Sequence, residues 1–170
     1  LDVVGWLVQF WIALGVAGLL LQRAPLLINN VVFPLSALAS LLLAVAGFLA
    51  LAATPATMVL PLGLPDLPFH LRLDALSGFF LILLGGASLG VSLFGAGYFR
   101  NMAGGMLGLL CLQYHLFLAG MTLVLLADDA YLFMVAWETM ALSSYFLVTT
   151  DHAIPDIRKA GYLYLLIAHV

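Results

Sequence analysis

Residues 129–149 read DAYLFMVAWETMALSSYFLVT, and this stretch decides the fold. About 20 predominantly apolar residues cross a bilayer as a helix, and this run has that length and character. It also carries Glu138, the only glutamate among 170 residues, near its middle. A carboxylate at membrane depth costs roughly 2.5–3.5 kcal/mol on insertion scales. Strongly apolar residues such as Leu132, Phe133, Val135, Leu142, Phe146, Leu147 and Val148 each return only about 0.3–0.6 kcal/mol. The helix inserts with little to spare, and so costly a residue is a functional-site hypothesis by default.

Working outward, the whole chain shares this character. Hydrophobic residues make up 65% and charged residues 8%, against about 25% charged in an ordinary globular domain. Too few polar residues remain to cover a water-facing surface, so the chain reads as an integral membrane protein with lipid as its first partner. The formal charge of −3 suggests no charged partner, and no basic cluster points to nucleic acid. Cys111 is the single cysteine, which excludes a disulfide framework or a cysteine-ligated cluster. No histidine pair has helical metal-ligand spacing. No cofactor is therefore expected in this chain. The first apolar run has no basic region before it and no small-residue cleavage site after it, so it reads as a span. A start at Leu1 and an end at Val170 inside an apolar segment lead to the expectation of a truncated chain.

Five stretches of spanning length are visible, at about 3–22, 33–53, 74–98, 107–127 and 129–149, and a sixth begins near Arg158. The expected fold is a single all-α transmembrane domain over 1–170, a polytopic helix bundle of five full spans plus the start of a sixth. Its one long connection, 54–73, holds four prolines and the alternating tail Phe69-His70-Leu71-Arg72-Leu73. Proline breaks helix and the alternation suits a strand, so an extramembrane hairpin is expected there. Arg23, Arg100, Arg158 and Lys159 fall on one side of the membrane and Arg72 alone on the other. This places the N-terminus and the hairpin on the non-cytoplasmic side of an inner membrane. Gly86/Gly90, Ser88/Ser92 and Ser36/Ser40 have the small-xxx-small spacing that brings helices together in lipid.

Three ionisable residues fall deep in the spans: His115, Glu138 and His169. Counting back from the turns at 1.5 Å per residue puts all three within about one helical turn in height. Tyr131, Glu138 and Tyr145 recur every seven residues and share one side of their helix, with Thr149 at its end. Desolvation raises the pKa of a carboxyl and lowers that of an imidazole, and close groups titrate as a set. Such a set suits a proton relay with Glu138 as the carrier and His115, His169, Tyr131 and Tyr145 as candidate members. Asp128 and Asp129, in the turn before this helix, are a candidate proton entrance. The plainer readings stay beside these: packing histidines, interfacial tyrosines and a solvated turn.

Leu125-Leu126-Ala127-Asp128-Asp129, followed by Trp137-Glu138-Thr139-Met140-Ala141-Leu142-Ser143-Ser144-Tyr145-Phe146-Leu147-Val148, resembles the fifth span of the antiporter-like proton-translocating membrane subunits. That family includes membrane subunits of NADH:quinone oxidoreductase, multisubunit Mrp-type Na+/H+ antiporters and membrane-bound hydrogenases. Asp74-Ala75-Leu76-Ser77-Gly78-Phe79-Phe80 resembles the opening of its third span. Trp137-Glu138-Thr139-Met140, Asp151-His152 and the run Arg158 to His169 are most similar to the hydrogenase-4 component B and formate hydrogenlyase subunit 3 branch. The resemblance implies a bundle of about fourteen helices built from inverted halves. It implies that Glu138 is the family's intramembrane glutamate, working with a lysine on a seventh span beyond Val170. It also implies that redox cofactors reside in partner subunits.

The resulting expectation is a proton-translocating membrane subunit of a respiratory oxidoreductase complex. Other membrane and peripheral subunits are its partners, and protons, with sodium as an alternative, are its cargo. A Na+/H+ antiporter subunit and a structural membrane anchor are the competing readings.

Overall fold

The computed structural model describes residues 1–64 and 66–169. Helix accounts for 77% of the chain, and the only strands among the described residues form one two-stranded sheet, so the fold is an all-α bundle. Its helices are α1 (Asp2–Leu20), α2 (Pro25–Ala50), α3 (Ala75–Tyr98), α4 (Gly104–Leu126), α5 (Ala130–Val148) and α6 (Pro155–His169). Five of them, α1 to α5, are long and apolar enough to cross a membrane, and the protein is a multi-pass membrane protein. α6 has 15 residues.

Local chemistry sets the helix ends. Asp74 caps α3 by accepting from the Ser77 N–H at 3.0 Å, and Asp129 caps α5 by accepting from the Leu132 N–H at 2.7 Å. Each satisfies one of the donors that a helix start leaves without a partner. α2 begins at Pro25, well before the expected start near residue 33, and ends at Ala50, short of residue 53. It passes through a π-helical segment, Ile28–Val32. Pro34, two residues beyond Val32, has no N–H for the carbonyl of Asn30, so the widened turn sits where the α-helical ladder is broken.

α2 packs along α3, α1 packs along α4, and α4 stands between α1 and α5. With no hydrophobic force between helices in lipid, close approach requires small residues. A Cβ on Gly47 would lie 2.6 Å from the Gly78 carbonyl oxygen, and one on Gly85 would lie 2.6 Å from the Ala44 nitrogen. These glycines form the α2–α3 contact. Gly86 and Gly90, the expected packing pair, face away, with nothing within 4 Å of a Cβ placed there. Ser36, Ser40, Ser88 and Ser92 are buried in the seam. The largest side chains of the core are Trp11, Ile28, Phe33, Leu43, Leu81, Leu107 and Leu118.

The 54–73 connection contains β1 (Ala56–Leu64) and β2 (Leu67–Leu73), paired antiparallel with Val59 opposite His70. The register shifts between Leu60 and Gly63, where Gly63 takes φ +110°, a conformation that L side chains rarely adopt. Along β2, Leu71 and Leu73 turn inward and Arg72 outward. The α4–α5 turn is attached to this strand: Ala127 bridges Leu71, and the Asp128 N–H donates to the His70 carbonyl at 2.9 Å.

Candidate functional site

α5 presents Leu132, Ala136, Ala141 and Ser143 to the interior. The α4–α5 contact is close at Gly120, where a Cβ would lie 3.1 Å from the Met140 nitrogen. Glu138 is on another side of the helix, toward α6, with its side chain 48% exposed. His169, 37% exposed, reaches it: Nε2 lies 2.9 Å from Oε1 and 3.0 Å from Oε2. The His169 Nδ1–H donates to the Leu165 carbonyl at 2.7 Å. This bond fixes Nδ1 as a donor and turns Nε2 toward the carboxyl. A single proton between Nε2 and the carboxyl then gives either an acid donating to a neutral imidazole or an imidazolium donating to a carboxylate. The pair lines a cavity of about 300 Å³ with Leu142, Tyr162, Leu165 and Leu166.

His115 is not in this group. It is fully buried on the side of α4 that faces α1 and α2, its Cβ 3.1 Å from the position of a Cβ on Gly15. Its Nδ1–H donates to the Cys111 carbonyl at 2.7 Å, and its ring centroid lies 6.4 Å from Phe33 and 5.3 Å from Tyr114. Nε2 is buried with no hydrogen-bond partner among the described residues. The expected common height also fails for this residue. From the Gly120–Met140 contact, His115 lies five residues in one direction and Glu138 two in the other, a height difference of roughly 10 Å.

The remaining residues divide between the two ends of α5. Tyr131 packs on Phe69 of the hairpin, with ring centroids 5.6 Å apart. Tyr145 lies against α6 beside Gly161 and lines a second cavity of about 650 Å³ with Gln113, Phe146, Thr149, His152 and Arg158. Asp128 and Asp129 belong to a polar cluster that ties the hairpin to the bundle. Asp129 Oδ2 accepts from the His70 N–H at 2.7 Å, and its carboxylate is 3.5 Å from His70 Nδ1. Arg72 is 3.4 Å from Asp74 and 4.0 Å from Asp128. The backbone N–H of Leu132 holds the Asp129 carboxyl below the ordinary carboxylate range, with the His70 N–H and imidazole adding to it. The N–H of Ser77 does the same for Asp74, assisted by the Arg72 charge.

Sequence reading did not find the buried chain across α2, α3 and α4. Ser92 Oγ donates to Ser36 Oγ at 3.2 Å and lies 2.8 Å from the Tyr114 hydroxyl, which donates to the Ser88 carbonyl at 3.1 Å. The spacing of the four serines marked the seam, but nothing in an evenly apolar α4 marked Tyr114 as facing it.

No family model matches the chain. An uncharacterized protein of Mycobacterium tuberculosis, in strains H37Rv and CDC 1551, is 36% identical over 107 residues, which cover 63% of this chain and 16% of that protein. Hydrogenase-4 component B of Escherichia coli K12 is 35% identical over 99 residues, 58% of this chain and 15% of that protein, a distant relation. The chain thus spans about a sixth of the length of the curated relatives it matches.

Proposed function

We propose that this chain is part of a proton-translocating membrane subunit of a hydrogenase-type respiratory complex in the inner membrane, and that Glu138 is its proton carrier. The observation that carries the reading is the Glu138–His169 pair, joined at 2.9 and 3.0 Å on helices of a spanning bundle. An intramembrane carboxyl with a titratable partner is the usual chemistry of a proton relay. The distant relation to hydrogenase-4 component B supports a membrane complex of that class. Electron transfer then occurs in partner subunits and drives proton movement through this one.

In the proposed cycle a proton arrives at the carboxyl, is shared with His169 Nε2 and leaves when the pair's surroundings change. His115 is assigned to packing, and Asp128 and Asp129 to holding the hairpin. Tyr131 and Tyr145 mark the two ends of the glutamate's face of α5. The test is Glu138→Gln in the full-length protein within its complex, read for co-purification of subunits and for redox-driven acidification of vesicles. Normal assembly with lost pumping is expected. Full pumping with normal assembly would sink the role. Sodium-dependent proton flux without a redox donor would move the protein to cation/proton exchange, and failed assembly alone would favour an anchor.

A further inference from the structure

α6 meets α5 along a single seam. Gly161 is the one residue of α6 buried among those described. A Cβ there would collide with Cγ2 of Thr149 and lie 3.2 Å from Tyr145 Cε2. Gly161, Leu165 and His169 are spaced by four and share a face of α6. Opposite them, Thr149, Tyr145 and Glu138 run along α5 in the reverse direction. The Gly161 contact and the carboxyl–imidazole pair therefore belong to one seam, roughly 12 Å apart along α6.

Thr149 is not free to yield. Its hydroxyl donates to the Tyr145 carbonyl at 2.8 Å, which fixes its rotamer with the methyl toward Gly161. Rotating the methyl away sacrifices that bond. A side chain at 161 would instead push α6 outward by roughly 1–1.5 Å, the distance needed to restore ordinary carbon–carbon contact. His169 Nε2 sits 2.9 Å from Glu138 Oε1, and a separation near 3.6 Å is no longer a hydrogen bond.

We propose that Gly161 is a positioning residue for the Glu138–His169 pair: its missing side chain sets the α5–α6 distance at which the imidazole reaches the carboxyl. This rests on the reading of that pair as the proton site.

The test uses the full-length protein in its complex, labelled with 15N-histidine, with His169→Gln assigning the His169 signal. In the native background, Glu138→Gln should move the His169 titration midpoint. In a Gly161→Ala background that movement should fall below about half its native size, as a double-mutant cycle reads it. Adding Thr149→Ser, which keeps the hydroxyl and removes the colliding methyl, should restore most of it. If Gly161→Ala does not fold, Thr149→Ile presses on the same contact from α5 and should show the same loss. An undiminished response to Glu138→Gln in either wedge variant overturns the proposal, as does failure of Thr149→Ser to restore it or a native His169 blind to Glu138→Gln. Proton transport in the same samples separates the two claims: coupling lost with transport intact leaves Gly161 as the positioning residue and removes the pair as the proton site.

Discussion

His115 and His169 make the same local hydrogen bond and end in different chemistry. Each donates Nδ1–H to the carbonyl four residues back, Cys111 or Leu165, at 2.7 Å. In both rings the remaining nitrogen is thereby defined, and what it meets decides the residue's role. His115 Nε2 points into a fully buried region walled by Phe33 and Tyr114 and finds no partner among the described residues. His169 Nε2 meets both oxygens of Glu138. The shared local bond therefore does not by itself bring a histidine to a titratable partner: of these two rings, His169 alone reaches one within hydrogen-bond distance.

The strongest challenge to this contrast is Glu138→Gln, which removes the group that distinguishes the two environments. General acid–base groups contribute about 10²–10⁴-fold to the steps they serve, so redox-driven proton transport should fall by at least about tenfold in vesicles while the complex still assembles. Substituting the histidines divides the comparison further. His169→Gln should slow transport severalfold, and its effect should be non-additive with Glu138→Gln, because the two side chains act as one unit. His115→Gln should leave transport within about twofold of native, since distant sites with no shared partner do not couple. A comparable loss from His115→Gln would return that residue to the relay.

His115→Leu sharpens the same point on stability. A buried polar atom without a partner costs about 1–3 kcal/mol, and leucine is apolar and of similar volume. The thermal unfolding midpoint of the purified protein should hold or rise. A fall equivalent to more than about 2 kcal/mol, the scale of a lost core contact, would show that Nε2 has a partner in the membrane.

How far this contrast was legible in the sequence depends on which side of each helix is polar. The spans were legible because apolar runs of bilayer length have few other meanings, and their ends differ by only a few residues in most cases. α2 was the exception. Asn29 and Asn30 look like a loop, yet Asn29 is buried and its side-chain N–H reaches the Phe99 carbonyl at 3.5 Å. The position of Glu138 on α5 was readable from the residues around it, and counting from the 154 loop placed His169 at its height. α4 is apolar on all sides, so nothing in its pattern showed that His115 faces α1. Counting from the turn also assumed symmetric helix register, whereas the Gly120–Met140 contact slides α5 relative to α4. Gly86 and Gly90 had the right spacing and the wrong side: α3 carries a second pair of the same spacing, Ser88 and Ser92, and it is that pair which faces the seam.

The smallest effect belongs to the end of α5 far from its partner helix, and it tests whether the Glu138 environment depends on how the helix is anchored. Asp129 caps α5 and accepts from the His70 N–H at 2.7 Å. Asp129→Ala should destabilise the bundle by about 1 kcal/mol through the lost cap and raise amide exchange at Asp128 and His70. Transport should change little, since His169 and Glu138 keep their contact. The pH dependence has a definite sign. The Asp129 carboxyl lies below its ordinary value because the Leu132 N–H favours the charged form. Its contribution is therefore present above the unfolded value, about 3.9, and is lost as pH falls through the depressed folded value. Hairpin amide protection, taken relative to the intrinsic exchange rate, should lose the Asp129 contribution only in acid below about pH 4. An Asp129→Ala variant that transports as poorly as Glu138→Gln would tie the two ends of α5 together and move the proton entrance to this turn.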